Sequence, residues 1–247
     1  MTPRFFISAP FGNYIRSEQT ISVAGTFTLH PRGNRLWSIL TTLRYSRKHN
    51  GWVNRLGLPN PGIQKGLASV SENPQNNVMS IAETERGDFQ KMNHIIPLDQ
   101  SLEINLSCPN VNDRLPMDGA RVFINAGVFA KVKSRKWCIA KLSPLTSPEE
   151  IEFVIEELGF KQIHFSNSLP LPNGRGGLSG STLKPYTMKL IDLVRERWGD
   201  RIEIIAGGGV DDFGAVSDYL AAGANHVSIG SVCFNPFKLR KLLKRTI

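Results

Sequence analysis

The most specific cluster of chemically versatile side chains lies near the middle of the chain. Asn105, Ser107, Cys108 and Asn110 belong to the run Leu-Glu-Ile-Asn-Leu-Ser-Cys-Pro-Asn, which begins as an apolar strand. Asparagine offers a donor and an acceptor together, which suits a flat heterocycle with alternating C=O and N–H groups. An accessible cysteine thiolate can act as a general base. A small buried cysteine before a Pro-Asn turn explains the same residues, and composition alone favours that simpler interpretation.

Two glycine turns form a second candidate site. Gly208 and Gly209 follow one apolar segment, and Gly230 and Ser231 follow the next. Glycine lets backbone N–H groups approach a ligand closely, and barrel enzymes often bind phosphate between the loops after strands seven and eight. Turn glycines that only lead a strand into a helix are the alternative. Two such turns in successive units favour a phosphate site.

The elements that must position these residues alternate through the second half of the chain. A Ser-Pro-Glu-Glu run at Ser147 predicts a capped helix that ends at Gly159, and Asp211 is the predicted cap of a helix that stops at Gly223. Further helices are predicted over 183–198 and from Asn235. The predicted strands are 5–9, 21–27, 77–82, 102–106, 137–142, 162–166, 202–206 and 225–229.

This alternation is typical of βαβ units and a parallel sheet. Each unit takes roughly 23–27 residues, so the chain accommodates about eight units. An α/β fold of the (β/α)₈ TIM-barrel type is therefore favoured over an open doubly wound sheet. The first two strands are too close for a full crossover, so the first helix is predicted to be missing or reduced to a turn. We treat residues 1–247 as one domain.

Composition excludes several classes of protein. The chain has 30 Lys+Arg against 21 Asp+Glu, a net charge of +9 that is compatible with phosphorylated ligands, nucleic acid or an anionic surface. No apolar run approaches the ~18–20 residues of a membrane span, and the N-terminus lacks a secretory signal. Three widely spaced cysteines predict neither a disulfide framework nor a zinc site, and the five histidines show no metal spacing. A cytoplasmic protein without a metal is expected.

The run that begins at Asn105 resembles the signature of the dihydroorotate dehydrogenase family. Other segments resemble this family in the same order, over most of residues 21–236. They are the Thr-Leu-His-Pro-Arg-Gly-Asn run over 28–34, the Asn-x-x-Gly-Leu-Pro-Asn loop from Asn54, Lys141, the Asn-Ser pair at 167–168, the Gly-Gly-Leu-Ser-Gly run over 176–180 and the two glycine turns.

The resemblance implies an FMN-containing barrel that oxidises dihydroorotate to orotate in pyrimidine biosynthesis. Cys108 would remove the C5 proton while hydride leaves C6 for the flavin N5, and Lys141 would lie near the edge of the flavin ring. The residues implied in substrate binding are Asn54, Leu56, Gly57, Leu58, Asn105, Asn110, Asn167 and Ser168. Those implied in FMN binding are Asn105, Lys141, Ser166, Gly180, Gly208, Gly209, Gly230 and Ser231.

The cysteine at the base position resembles the soluble class of the family. The electron acceptors that this class implies are fumarate, NAD through a partner subunit, or another acceptor. A homodimer is left open as the oligomeric state, and neither a nucleic-acid partner nor a membrane span is expected.

Two departures from the family pattern leave alternatives open. Alignment on Thr28 places Gly25 where the family carries a lysine that contacts flavin and substrate, and Tyr14 stands in a first loop that is usually small. Loss of the lysine removes a charge-assisted contact of about 1.5–3 kcal/mol. The alternatives are an FMN barrel that reduces uridine in tRNA and a barrel that has lost flavin chemistry.

Overall fold

The computed structural model of the chain describes residues 4–33, 35–70, 76–106, 119–172 and 176–244. Within them, the strands are β1 (Phe5–Ile7), β2 (Thr20–Phe27), β3 (Arg44–Ser46), β4 (Gly51–Asn54), β5 (Asn77–Ile81), β6 (Leu102–Asn105), β7 (Cys138–Leu142), β8 (Gln162–Phe165), β9 (Leu169–Pro170), β10 (Gly177–Gly180), β11 (Glu203–Gly207) and β12 (His226–Ile229). The α-helices are α1 (Arg35–Thr42), α2 (Ile63–Val70), α3 (Asp88–Ile95), α4 (Gly119–Ala130), α5 (Pro148–Glu152), α6 (Lys184–Trp198), α7 (Phe213–Ala221) and α8 (Pro236–Leu243).

Eight of the strands form a closed parallel barrel. Their order around the barrel is β1-β12-β11-β8-β7-β6-β5-β2, and β1 closes it by pairing with both β12 and β2. Most barrel strands are buried along their whole length, as expected when helices cover the outer face. The predicted (β/α)₈ barrel is confirmed, and the doubly wound alternative is wrong.

The predicted barrel strands all form, within two residues of their expected bounds. The capping box at Ser147 is also confirmed: its hydroxyl accepts from Glu150 N at 3.2 Å, and Glu150 Oε2 accepts from Ser147 N at 2.8 Å. This helix continues as a π-helical turn over Phe153–Glu157 and so ends just before Gly159. Asn235 caps α8 as predicted. Among the described residues, no helix is both long and apolar enough to cross a membrane.

The predicted cap of α7 was wrong by one residue, whereas its predicted stop at Gly223 is confirmed. Asp212, and not Asp211, caps this helix, because Asp212 has an extended backbone and its Oδ1 accepts from Ala215 N at 2.9 Å. Asp211 instead pairs with Lys238 at 3.0 Å. The helix ends at Ala221, before the positive-φ turn at Gly223.

A single 3₁₀ turn, Phe11–Asn13, replaces the first crossover helix, which confirms that prediction. The turn packs directly on β2, because Gly12 lies so close that an added Cβ would be 2.3 Å from the carbonyl oxygen of Val23. Asn13 fixes the contact, since its side chain bonds both the N–H and the C=O of Gly25 at 3.2 Å. The first loop therefore stays short and reaches the barrel rim.

A small antiparallel sheet covers one side of the barrel mouth. Its order is β3-β4-β10-β9, with Leu178 of β10 opposite Val53 of β4. The two halves of this sheet come from the segments that follow β2 and β8. Residues far apart in sequence, such as Asn54 and Gly180, are thereby placed beside the carboxyl ends of the barrel strands.

Gly12→Ala is expected to destabilise the protein by about 2–3 kcal/mol, because the new methyl group overlaps the backbone of β2 and forces it to shift. Thermal unfolding measures the change. Gly127→Ala in α4 is the matched control, since the nearest atom to its Cβ is a side-chain carbon of Leu158, at 3.2 Å, and alanine favours a helix. Equal melting temperatures for the two variants would contradict the packing of the turn.

Candidate functional site

The carboxyl ends of the barrel strands surround one cavity of about 400 Å³, within the range of small-molecule sites. The small sheet and α1 form part of its wall, through Trp52 and Ile39. Parallel barrels place their active sites at this end, because the loops that follow all eight strands meet there. The cavity is thus the candidate functional site.

Most of the residues singled out from sequence line this cavity. They are Asn54, Leu56, Leu58, Asn105, Lys141, Ser166, Asn167, Ser168, Gly180, Gly208, Gly209, Gly230 and Ser231. Gly57 is not among the lining residues, although both of its neighbours are; it forms a positive-φ turn whose carbonyl faces Arg32. Cys108 and Asn110 lie outside the described residues.

Polar groups from β2, β6 and the loop after β8 are joined across the cavity wall. Asn105 Oδ1 accepts from Asn167 Nδ2 at 2.9 Å, and Asn105 Nδ2 donates to Thr26 Oγ1 at 3.3 Å. The backbone N–H of Ser168 donates to Asn167 Oδ1 at 2.9 Å. These bonds fix the orientation of both amides, so the site presents amide groups in a defined arrangement to a ligand.

A buried ionic cluster lies beneath these amides. Glu103 Oε1 is 3.3 Å from Lys141 Nζ and accepts from Ser80 Oγ at 2.9 Å, while Glu103 Oε2 is 2.7 Å from His164 Nδ1. The Glu103 side chain is fully buried, and Lys141 and His164 both line the cavity. A buried charge requires a partner, so the carboxylate and the ammonium stabilise each other inside the barrel.

The protonation states of Glu103 and His164 depend on burial and on the neighbouring groups of the cluster. Burial is the largest influence on the pKa of Glu103 and raises it, but Lys141, His164 and Ser80 together outweigh burial and lower this pKa from 4.5 to about 2. Burial and then the charge of Lys141 lower the pKa of His164, against the opposing effect of Glu103. At neutral pH the cluster therefore holds a carboxylate and a neutral imidazole.

The glycine turns present unpaired backbone donors. Within the described part of the chain, the amides of Gly208, Gly209, Gly230 and Ser231 donate to no other group. Four such N–H groups at neighbouring strand ends form a suitable anion site. The first two glycines also have a packing role, because a Cβ at Gly209 would be 2.5 Å from Ser181 Cα.

Gly25, which alignment on Thr28 is expected to match to a lysine of the family, lies at the bulge of β2. Its φ is +116°, and an added Cβ would be 2.5 Å from the carbonyl oxygen of Ser80. A lysine side chain therefore does not fit on this backbone. Among the described lining residues, Lys141 is the one lysine or arginine.

Aromatic residues form the outer wall of the cavity. Phe234 packs edge-to-face on Phe11, with centroids 5.0 Å apart, and lies 4.5 Å from the ring of Trp52. Tyr14 also lines the cavity but is 70% exposed, so it lies at the rim. Such a wall is suited to a flat aromatic ligand.

Several lining residues escaped the sequence analysis. They include Ser8, Thr26, Trp52, His164, Ser179, Ser228 and Phe234. Ser8, Thr26, His164 and Ser228 lie in or directly after barrel strands, so the inward-facing positions of each predicted strand were the available signal. No such signal exists in the sequence for Trp52 and Phe234, because their place in the cavity wall depends on the small sheet, which was not predicted.

Glu103→Gln is expected to lower the free energy of unfolding by about 3–5 kcal/mol at pH 7, because it leaves the buried Lys141 ammonium without its carboxylate. Since the folded-state pKa of Glu103 is depressed, its stabilisation is present above pH 4.5 and is lost as the pH falls towards 2. Denaturant unfolding at several pH values should show the difference between wild type and variant shrinking over this range. An exposed control, Glu152→Gln, should cost less than about 1 kcal/mol. A difference that does not change with pH would contradict the assignment.

Comparisons with known proteins agree with this arrangement. Residues 19–247 match the family model described as dihydroorotate dehydrogenase. The catalytic subunit of dihydroorotate dehydrogenase B (NAD(+)) from Oceanobacillus iheyensis is 31% identical over 220 residues, which cover 79% of this chain and 71% of that protein. The putative dihydroorotate dehydrogenase A (fumarate) of Aquifex aeolicus is 27% identical, covering 94% of this chain and 84% of that protein.

The fold comparison finds the same fold in solved structures. A crystal structure of the DHODH of Eimeria tenella in complex with ferulenol superposes with a TM-score of 0.73 at 17% identity, and covers 98% of this chain and 79% of that chain. A ligand-free form of that protein superposes with a TM-score of 0.69. The family match over nearly the whole chain is decisive: the protein belongs to the dihydroorotate dehydrogenase family of oxidoreductases.

Proposed function

We propose that the protein is an FMN-dependent dihydroorotate dehydrogenase that oxidises dihydroorotate to orotate. The observation that carries the proposal is the cavity at the strand ends, which gathers the amides, the lysine and the glycine turns that the family resemblance assigns to substrate and cofactor. These residues come from distant parts of the sequence, and their convergence on an open cavity supports a common role in binding a ligand.

The cavity fits FMN at two points. The unpaired amides of Gly208, Gly209, Gly230 and Ser231 supply donors for the phosphate. Lys141 supplies a cation for the edge of the ring, where negative charge develops on reduction, and Glu103 holds that cation in place. Bound FMN supplies the two-electron acceptor of the reaction.

The opposite part of the cavity fits the pyrimidine. Asn54, Asn105, Asn167 and Ser168 offer the paired donors and acceptors that a ring of alternating C=O and N–H groups requires. The loop backbone at Leu56 and Leu58 would bind the carboxylate, as the resemblance implies. Because Asn105 and Asn167 are bonded to each other, they hold the ring in one orientation.

Removal of the proton from C5 of dihydroorotate requires a base, and we assign the role of base to Cys108. The assignment rests on the family resemblance and on chain position, since Cys108 follows Asn105 by three residues and Asn105 lies in the cavity wall. Two electron acceptors follow from the names of the relatives: NAD⁺ through a partner subunit, and fumarate. Turnover assays with each acceptor distinguish them.

Anaerobic addition of dihydroorotate to the FMN-loaded protein is expected to bleach the flavin absorbance. Cys108→Ala should retain bound FMN and its yellow colour. The rate of bleaching should fall by at least about a hundredfold, since a positioned base contributes ~10²–10⁴-fold to the rate. Cys233→Ala, at a cysteine that the cavity does not include, is the control and should bleach normally. Undiminished bleaching by Cys108→Ala would refute its role as the base.

The flavin-free protein is expected to bind FMN at least about tenfold more tightly than riboflavin, because riboflavin lacks the phosphate that the four amides would bind. Quenching of flavin fluorescence measures both affinities. Equal affinity for FMN and riboflavin would contradict the assignment of the glycine turns to phosphate.

A further inference from the structure

His164 lies on the floor of the cavity and takes part in none of the roles assigned above. It belongs to β8, is only 2% exposed and lines the cavity. Its Nδ1 is 2.7 Å from Glu103 Oε2. A buried imidazole at a ligand cavity therefore has one nitrogen engaged by the protein, and the role of the other nitrogen depends on where the ring proton lies.

The bond to Glu103 fixes that proton. A carboxylate can only accept, so Nδ1 of His164 carries the hydrogen and donates it. Burial and the charge of Lys141 lower the pKa of His164, so the ring is neutral at physiological pH. In this tautomer, Nε2 carries a lone pair and is a hydrogen-bond acceptor.

Nε2 of His164 has no hydrogen-bond partner among the described residues, and it faces space that a glycine keeps open. A Cβ added to Gly207 would lie 3.4 Å from this nitrogen, and Gly207 itself lines the cavity. Nε2 is not one of the fully buried atoms of the described residues that lack a partner, so it is open to the cavity, where it can accept a hydrogen bond from a ligand that donates at this point.

A second buried histidine shows that the arrangement at His164 is not a general feature of this core. In His226, Nε2 is 2.7 Å from Glu203 Oε1 and Nδ1 accepts from the backbone N–H of Arg4 at 3.1 Å. Both ring nitrogens of His226 are thus engaged within the protein, and His226 does not line the cavity.

The position of His164 around the barrel identifies the part of the ligand that it meets. Lys141 lies on β7, His164 on β8, and the glycine turns follow β11 and β12, in the order β7-β8-β11-β12. His164 is therefore located between the residues assigned to the flavin ring and those assigned to the phosphate. In FMN, the donors between these two ends are the hydroxyl groups of the ribityl chain.

We propose that His164, held by Glu103, accepts a hydrogen bond at Nε2 from a ribityl hydroxyl of the bound cofactor and thereby selects a hydroxylated chain at the cavity floor. This inference rests on the proposed function and deepens it. His164 is a cofactor-binding residue, and Glu103 is a positioning residue that fixes its tautomer.

The test uses flavin-free protein and a series of ligands: FMN and analogues that each lack one ribityl hydroxyl. Affinities are measured by quenching of flavin fluorescence. For wild type, one analogue should bind about three- to tenfold more weakly than FMN, the effect of one neutral hydrogen bond. His164→Leu should bind FMN more weakly by the same factor and should no longer distinguish that analogue from FMN. His226→Leu, the matched control, should keep the wild-type preference.

Each outcome decides the proposal. If the wild type binds FMN and all the analogues with equal affinity, the proposal is overturned before any variant is made. The proposal is also overturned if His164→Leu still distinguishes the analogue from FMN as the wild type does. If His164→Leu does not fold, His164→Met replaces it, because a flexible thioether side chain fills much of the same space and offers the cavity only a weak acceptor. Wild type that binds no flavin would overturn the proposed function itself, whereas binding without preference for the hydroxylated chain would overturn only this inference.

Discussion

One buried carboxylate, that of Glu103, organises the centre of the barrel. It balances the charge of Lys141, orients the ring of His164 and accepts a hydrogen bond from Ser80, which is linked through Thr26 to Asn105. Such a cluster adds little to stability by comparison with an apolar core, since desolvation offsets much of the attraction. Its role is to hold Lys141, His164 and Ser80 in fixed positions at the floor of the cavity, where apolar residues could not bind a polar ligand.

The rest of the fold keeps this cluster at the mouth of the barrel. Closure through β1 removes every exposed edge of the main sheet, so the strand ends stand at fixed positions relative to one another. The antiparallel sheet then encloses one side of the mouth, and the aromatic residues Trp52 and Phe234 complete the wall. A rigid scaffold carries the polar groups, as preorganised binding requires.

Much of this architecture could be predicted from sequence, for identifiable reasons. The barrel strands are apolar runs bounded by caps and glycines, and local signals such as Ser147 and Asn235 are read directly. His164 escaped because its place in a predicted strand was the available signal, while nothing in the sequence indicates that it meets Glu103, 61 positions away. Gly25 was expected to stand where the resemblance implies a lysine, but only the backbone shows that a glycine is required there: its positive φ and its close approach to Ser80 arise from pairing between β2 and β5.

The glycine at the bulge of β2 limits which residues position 25 can hold. Any side chain there would meet the carbonyl of Ser80, so Gly25 cannot be replaced without rearrangement of two strands and of the Asn13 turn, which bonds both the N–H and the C=O of Gly25. An engineered cation in this part of the cavity must therefore be introduced at another position around the mouth.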